Sequence, residues 1–249
     1  MNRKCFFLIP AAGSGTRMGE GLPKLMRNVE GSPVILRTLG AIAGVCRSGY
    51  GGLDYRIILV TTADLIDTLK AMCSEYFPDL NILYTLGGNT RTESVSLGIN
   101  AIPDAGDNDL VLVHDGARCL VTGEEITACI DGMGIHDVCA SAVPVKNTLK
   151  ETEVSPSGDI KVTNTPDRSR FYEILTPQGF KFKDIRDCYA KAIANGITAT
   201  DDTALAPLCN LDVYLTKGLY SNLKITTPED IAIASEIVRS RGESEPFSD

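Results

Sequence analysis

A glycine-rich segment that carries two cations is the first group of residues whose types and spacing suggest a particular chemistry. It reads Ala11-Ala12-Gly13-Ser14-Gly15-Thr16-Arg17 and is followed, after Leu22-Pro23, by Lys24. Small residues let the backbone approach a ligand closely, and successive amide groups bind phosphate oxygens. Because Arg17 and Lys24 add positive charge beside these amides, the segment predicts a phosphate-binding site.

Several kinds of nucleotide loop contain such glycines. A P-loop needs Gly-Lys-Ser or Gly-Lys-Thr, which this sequence lacks. A dinucleotide fingerprint fits poorly, because Gly19 comes one place late and Asp64 lies too far along the chain. A loop of the nucleotidyltransferase type is favoured. An NAD-dependent oxidoreductase and a non-catalytic nucleotide-binding protein stay open as alternatives.

The segments around this loop predict the fold that positions it. Short apolar runs alternate with segments of helical period, which is typical of a parallel sheet with helices on both faces. The predicted strands are Cys5–Ile9, Arg56–Thr61, Ile82–Thr85, Leu110–His114 and Cys139–Val143. The predicted helices are Pro33–Val45, Ala63–Tyr76, Thr92–Ala101 and Glu124–Met133. The fold class is therefore α/β, and the glycine-rich segment follows the first strand, where open α/β sheets bind ligands.

The pattern changes after Val145. Two polar runs around Ser155-Pro156-Ser157-Gly158-Asp159 predict a β-hairpin, within a protruding arm over about residues 146–175. A hairpin with few apolar residues is poorly stable alone, so we expect it to pack on a second subunit. The remaining predicted elements are a helix over Phe182–Asn195, strands at Asp212–Thr216 and Ser221–Ile225, and a helix from Thr227-Pro228. Without a repeat or linker, residues 1–249 predict one domain.

Composition excludes several other classes of protein. The net charge of −8 argues against a general nucleic-acid or membrane-surface binder, because polyanions are repelled overall. No segment has the roughly 18–20 apolar residues of a membrane span, and Pro10 favours a first strand over a signal peptide. Eight cysteines without a C-x-x-C pair predict reduced, mostly buried thiols and a cytoplasmic protein.

Further motifs carry a resemblance to a known family. They follow the glycine-rich segment in the order Gly87–Val95, Val113–Arg118, Pro144–Lys150, Asp167-Arg168, Leu175–Phe180, Thr200–Asp202 and Asn222–Asp230. In this order the sequence resembles the 2-C-methyl-D-erythritol 4-phosphate cytidylyltransferase family over nearly its whole length.

The resemblance implies a Rossmann-like nucleotidyltransferase fold whose β-arm makes a homodimer. It implies transfer of CMP from CTP to 2-C-methyl-D-erythritol 4-phosphate, with release of pyrophosphate, in non-mevalonate isoprenoid precursor synthesis. Mg²⁺ or another divalent cation is the implied cofactor. A relative that acts on ribitol 5-phosphate stays open as the alternative, since both acceptors are anions that the same pocket would hold.

The resemblance also assigns residues to roles. The implied catalytic cations are Arg17, Lys24, Arg168 and Lys224, with Lys24 at the transition state and Arg17 at the departing pyrophosphate. The implied nucleotide-binding residues are Ala11, Ala12, Gly13, Ser14, Gly15, Thr16, Gly88, Asn89, Ser94, Asp115 and Gly116. The implied acceptor-phosphate residues are Arg118, Thr148, Arg168, Thr176 and Lys224, and Asp115 is the implied metal ligand.

Some of these assignments have structural alternatives. Arg118 is either an acceptor ligand or only a partner for Asp115, and Asp202 either orients a cation or caps a helix. The sequence also departs from the family pattern at Asn89, Gly116, Cys119 and Asn147. Because nearby cations favour a thiolate, Cys119 is a candidate for oxidation unless it is buried.

Overall fold

The computed structural model of the chain describes residues 3–13 and 22–242. The strands of this part are β1 Lys4–Pro10, β2 Asn28–Val29, β3 Ser32–Pro33, β4 Asp54–Thr61, β5 Ile82–Leu86, β6 Leu110–Val113, β7 Val138–Pro144, β8 Glu151–Val154, β9 Ile160–Asn164, β10 Tyr172–Lys181 and β11 Val213–Lys217. The α-helices are α1 Val34–Ser48, α2 Ile66–Tyr76, α3 Arg91–Asn100, α4 Gly123–Gly132, α5 Phe182–Ala194 and α6 Pro228–Ser240.

A mostly parallel sheet lies at the centre. Among the described residues it has seven strands in the order β11-β7-β10-β6-β1-β4-β5. Strand β1 pairs in parallel with β4 and β6, β4 with β5, and β11 with β7. Strand β10 is antiparallel to both β6 and β7. The predicted α/β class is therefore confirmed, with one antiparallel strand inserted near the middle of the sheet.

The two faces of the sheet carry separate apolar cores. Successive side chains of a strand point to opposite faces. Accordingly, Phe7 and Ile9 of β1 pack with α1, α2, α4 and α6, whereas Phe6 and Leu8 pack with α3 and α5. Because β1 is buried on both faces, it reads in the sequence as a continuous apolar run.

Most predicted elements are confirmed, with ends shifted by at most three residues. The predicted strand Ser221–Ile225 is wrong, because the backbone of this segment hydrogen-bonds to loops and not to a strand. Ile225 N–H donates to the Ala117 carbonyl at 2.9 Å, for example. Strand β10 has no counterpart among the predicted elements. Its apolar pattern is interrupted by Pro177, which has no N–H to donate, and by buried polar side chains.

The predicted hairpin is present as β8 and β9, which pair in antiparallel fashion. Ser155 N–H donates to the Asp159 carbonyl at 2.9 Å across the predicted turn. Every residue of both strands is exposed, and Val154 and Ile160 each expose 75 % of their surface. The predicted arm is too long at its end, because residues 172–175 already belong to β10 of the central sheet.

None of the described helices combines the length and the apolar character that crossing a bilayer requires.

Helix α3 approaches the sheet closely because Gly98 has no side chain. A Cβ atom at this position would contact the Leu8 side chain and would lie 2.7 Å from Cγ2 of Val60. Both neighbours are fully buried, so neither has room to move away. In contrast, Gly44 is an exposed residue within α1, and a Cβ there would meet no atom within 4 Å.

These two glycines predict opposite effects of the same substitution. Gly98→Ala should lower the free energy of unfolding by about 1–3 kcal/mol, because it overpacks the core. Gly44→Ala, the matched control, should raise it by about 0.5–1 kcal/mol, because alanine loses less entropy in a helix. Urea unfolding followed by circular dichroism measures both, and a neutral or stabilising Gly98→Ala would contradict the packing described here.

Candidate active site

A cleft of about 400 Å³ opens beyond the carboxyl ends of β1, β5 and β6. This is the edge of the sheet at which the sequence places a ligand. The sequence-predicted residues that line the cleft are Ala11, Ala12, Gly13, Lys24, Gly88, Asn89, Ser94, Asp115, Gly116 and Lys224. They come from distant parts of the chain, so the fold brings these predicted residues together. Ser14, Gly15, Thr16 and Arg17 lie outside the described residues, and their roles stay predictions.

Asp115 follows β6 directly and interacts with three cations. Lys224 Nζ lies 2.9 Å from Oδ2 of Asp115, and Arg118 Nε donates to the same oxygen at 3.4 Å. The Arg91 guanidinium approaches Oδ1 at 3.7 Å. Burial by itself raises the pKa of the Asp115 carboxyl, but Lys224, Arg91 and Arg118 outweigh it and hold the pKa well below its ordinary value. Asp115 is therefore ionised at neutral pH.

A buried hydrogen-bond network holds the backbone of Asp115 in place. The backbone N–H of Asp115 donates to Oγ1 of Thr176 at 3.1 Å, and this hydroxyl lies 2.9 Å from Nδ1 of His114. His114 Nε2 lies 3.3 Å from the Arg118 carbonyl, which only accepts, so Nε2 carries the proton. Neutral His114 then accepts from Thr176 through Nδ1. Burial lowers the pKa of His114 to about 4, consistent with this neutral form.

Thr176 is a member of this network. The resemblance implies that Thr176 binds the acceptor phosphate, and this role stays a prediction. In one protomer its side chain is buried and its hydroxyl contacts the Asp115 backbone and His114. His114 itself is a buried residue directly after β6. Arg118 does pair with Asp115, and it also donates to the Asn222 carbonyl at 2.7 Å. This second contact holds the segment that carries Lys224.

The glycine pair between β5 and α3 forms one wall of the cleft. A Cβ at Gly87 would lie 2.8 Å from Oγ of Ser94, and one at Gly88 would overlap the Glu93 side chain. The Gly88 N–H donates to Oγ of Ser94 at 3.1 Å, and the Asn89 N–H donates to the Glu93 carboxylate at 2.7 Å. Ser94 therefore lines the cleft while its hydroxyl stabilises the turn.

Arg91 is a cleft residue to which the sequence analysis gave no role. It donates to both carboxylate oxygens of Asp202, at 2.9 and 2.6 Å. Tyr189 also donates its hydroxyl to this carboxylate. Asp202 thus orients a cation, which was one of its two alternatives, and its side chain makes no helix-capping hydrogen bond. The position of Arg91 close to the glycine pair in the sequence is the feature from which a role in the cleft could have been predicted.

The arm residues lie away from this cleft. Thr148 and Arg168 are exposed and do not line it, and Arg168 donates to the Lys146 carbonyl within the arm. Among the described residues of one protomer, Lys224 is the predicted acceptor residue that lines the cleft, and Arg118 contacts the cleft residue Asp115 without lining the cleft itself.

Charge in the cleft favours an anionic ligand. Asp115 and Asp202 supply two negative charges, and Arg91, Arg118 and Lys224 supply three positive ones, a net charge of +1 for this cluster. Lys24 adds a further positive charge to the wall. An acidic protein thus holds a locally cationic cleft, as the sequence predicts for a phosphorylated ligand.

The cysteines take no part in this arrangement. All eight are free, and Cys119 is buried. Burial raises the pKa of its thiol to about 12, so little reactive thiolate exists at neutral pH. The expectation that burial makes Cys119 inert therefore applies.

Comparison with known proteins agrees with these features. Residues 5–240 match the model of the 2-C-methyl-D-erythritol 4-phosphate cytidylyltransferase family. The chain belongs to this family. A 2-C-methyl-D-erythritol 4-phosphate cytidylyltransferase from Nostoc sp. is 37 % identical over 239 residues, which are 96 % of this chain and 100 % of the relative. One from Nostoc punctiforme is 38 % identical over 245 residues, 95 % and 99 % of the two chains.

Solved structures of the family have the same fold. The 4-diphosphocytidyl-2C-methyl-D-erythritol synthase of Anaerococcus prevotii superposes with a TM-score of 0.79 at 32 % identity, covering 95 % of this chain and 99 % of its own. The cytidylyltransferase of Thermus thermophilus superposes with a TM-score of 0.71 at 27 % identity, covering 96 % and 100 %. The family and the fold class that the motifs predicted are thus confirmed.

The neutral state of His114 predicts a dependence of stability on pH. Its pKa is about 4 in the folded chain and about 6.5 ordinarily. Between these values the unfolded chain binds the proton and the folded chain does not. The free energy of unfolding should therefore fall as the pH drops from 6.5 to 4, by up to roughly 1.4 kcal/mol per pH unit.

Urea unfolding at several pH values, without added metal, tests this dependence. His114→Gln should be less stable at pH 7 and should lose most of the fall between pH 6.5 and 4. His136→Gln, at the other histidine of the chain, serves as the control for removing a histidine elsewhere. An equal slope in wild type and His114→Gln would show that His114 is not held neutral.

Proposed function

We propose that this chain transfers CMP from CTP to 2-C-methyl-D-erythritol 4-phosphate, releases pyrophosphate, and so serves isoprenoid precursor synthesis. The observation that carries the proposal is the cationic cleft around Asp115, which the start of the glycine-rich segment lines, in a member of this family. One phosphate oxygen of the acceptor attacks the α-phosphorus of CTP. A P–O bond forms there, and the bond to the bridging oxygen breaks as pyrophosphate leaves.

Both reactants are anions, so catalysis here is mainly alignment and charge stabilisation. Ala11, Ala12 and Gly13 receive the triphosphate through the backbone. Lys24, on the cleft wall beside them, stabilises the charge that develops on the pentacoordinate phosphorus. Arg17 neutralises the departing pyrophosphate.

Base selection follows from the glycine pair. The N–H groups of Gly88 and Asn89 are already engaged by Ser94 and Glu93. The groups left to read the base are carbonyl oxygens and the Asn89 side chain. A carbonyl oxygen accepts from the exocyclic amino group of cytosine and repels the oxygen that uracil has there, which favours CTP over UTP.

Mg²⁺ fits Asp115. This ion commonly binds one or two carboxylates together with phosphate oxygens, and Asp115 is an ionised carboxylate on the cleft wall. In residues 3–13 and 22–242 no three His, Cys, Asp or Glu side chains form a metal-binding group. The ion would accordingly be held by Asp115 and the triphosphate, where it supplies charge neutralisation for the reacting phosphates.

The acceptor phosphate binds near Lys224 and Arg118, and a second copy of the chain completes the site. Thr148 and Arg168 lie on the exposed arm, away from the cleft of their own protomer. In the homodimer that we propose, Arg168 of one protomer serves the cleft of the other. The exposed Val154 and Ile160 of the arm would be covered in such a dimer.

The proposed location is the cytoplasm. The eight free cysteines support it, because thiols stay reduced in that compartment.

A turnover panel tests the proposed reaction. Pyrophosphate release is measured with CTP, UTP or ATP, against methylerythritol phosphate or ribitol phosphate, with Mg²⁺ or EDTA. CTP with methylerythritol phosphate and Mg²⁺ should be fastest, and Lys24→Ala should lower kcat/KM at least about tenfold, or ~1.4 kcal/mol. Faster turnover of ribitol phosphate would contradict the acceptor, and a smaller effect of Lys24→Ala would contradict its catalytic role.

Mixing two inactive variants tests whether the arm crosses between protomers. Lys24→Ala removes a cleft residue and Arg168→Ala an arm residue, so each homodimer should be nearly inactive. Half of the re-equilibrated dimers carry one copy of each variant, and one of their two clefts is intact. The mixture should therefore recover about a quarter of wild-type activity. No recovery would show that Arg168 serves the cleft of its own protomer, and an active Arg168→Ala homodimer would show that it serves neither cleft.

A further inference from the structure

Asp202 is completely buried although it carries a charge. A buried carboxylate requires a charged partner and further hydrogen bonds. Arg91 supplies the charge through two parallel hydrogen bonds of 2.9 and 2.6 Å, and Tyr189 donates a third. This pairing is therefore a fixed part of the fold and not an exposed ion pair.

Strand β10 fixes the position of Asp202. The backbone N–H groups of Asp202 and Thr203 both donate to Oε1 of Gln178, at 2.8 and 3.0 Å. The amide nitrogen of Gln178 in turn donates to the Leu175 carbonyl at 3.0 Å. Gln178 lies in the centre of the sheet, so the Asp202 carboxylate is held in one place relative to the end of β6.

Arg91 lies between two carboxylates and donates hydrogen bonds to only one of them, Asp202. Its NH2 nitrogen is 2.6 Å from Asp202 and 3.7 Å from Oδ1 of Asp115, a distance too long for a hydrogen bond. The other oxygen of Asp115 contacts Lys224 and Arg118. Oδ1 thus has a cation nearby that does not bind it directly.

From this geometry we infer that Asp202 is a positioning residue, which holds Arg91 away from Asp115 so that Oδ1 remains open to a divalent cation. Without the charge of Asp202, the Arg91 guanidinium has Asp115 as its remaining carboxylate partner. It would then form the direct pair with Oδ1 and compete with the ion. This inference rests on the proposed role of Asp115 as the metal ligand.

The experiment measures CTP binding by calorimetry, with Mg²⁺ and with EDTA, in the absence of any acceptor. The dissociation constant in EDTA divided by that with Mg²⁺ is the Mg²⁺ ratio. It reports the contribution of the ion to CTP binding without any turnover. Asp202→Asn should reduce this ratio about tenfold, as is typical for residues that orient metal ligands. Its affinity for CTP in EDTA should change little, which a general loss of structure would not produce.

The double variant Arg91→Gln/Asp202→Asn separates positioning from support of the fold. It removes the arginine that Asp202 restrains, and it leaves two neutral amides instead of an unpaired buried charge. The Mg²⁺ ratio should return to within about threefold of wild type. If Asp202 only stabilised the fold, the double variant would be as defective as the single one. Circular dichroism and thermal unfolding check that each variant is folded.

Asp115→Asn separates this inference from the proposed function. If Asp115→Asn keeps the full Mg²⁺ ratio, Asp115 is not the metal ligand and the proposed metal site fails. If Asp115→Asn loses the ratio while Asp202→Asn keeps it, the inference about Asp202 alone is overturned. Should Asp202→Asn fail to fold, the double variant decides: a ratio near wild type supports the inference, and about a tenfold loss overturns it.

Discussion

The two carboxylate oxygens of Asp115 have different partners, and the rest of the site depends on this difference. Oδ2 contacts Lys224 and Arg118, whereas Oδ1 faces Arg91 at 3.7 Å. The contact to Lys224 draws the segment after Tyr220 to the cleft. A single buried carboxylate thereby gathers one neighbouring cation, Arg118, and two from other parts of the chain, Arg91 and Lys224. These cations also keep it ionised, and we propose that its second oxygen serves the reaction.

Strand β10 connects this cluster to the sheet. Its Thr176 accepts from the backbone of Asp115, and its Gln178 binds the backbone of Asp202. Both side chains are buried and polar, and each satisfies groups in a different loop. The antiparallel strand β10, between β6 and β7, therefore positions the two carboxylates between which Arg91 lies.

The parallel frame of the fold could be predicted from the sequence because it depends on local patterns. Strand β1 is apolar from Cys5 onward, since both of its faces are buried, and Thr227-Pro228 marks the start of α6 by capping. Residues near the glycine-rich segment and at the end of β6 could be predicted as a site, because parallel strands place their carboxyl ends at one edge. The family could be predicted from the resemblance of the sequence motifs.

Features that depend on long-range polar pairing could not be predicted in this way. The pair of Arg91 and Asp202 joins positions 111 residues apart, and neither residue type reveals its partner. Strand β10 was missed because Thr176 and Gln178 resemble loop residues until their buried partners are known. The segment 221–225 ends in alternating apolar and polar residues, as a strand can, yet its backbone donates to a loop beside the cleft.

A crystal structure with CTP and Mn²⁺, whose anomalous scattering identifies the ion, tests the division of roles within Asp115 most directly. We expect the ion on Oδ1 of Asp115 and on the triphosphate, with Lys224 and Arg118 still at Oδ2 and Arg91 still paired with Asp202. An ion bound elsewhere, or an Arg91 that pairs directly with Asp115 when CTP is bound, would contradict this account.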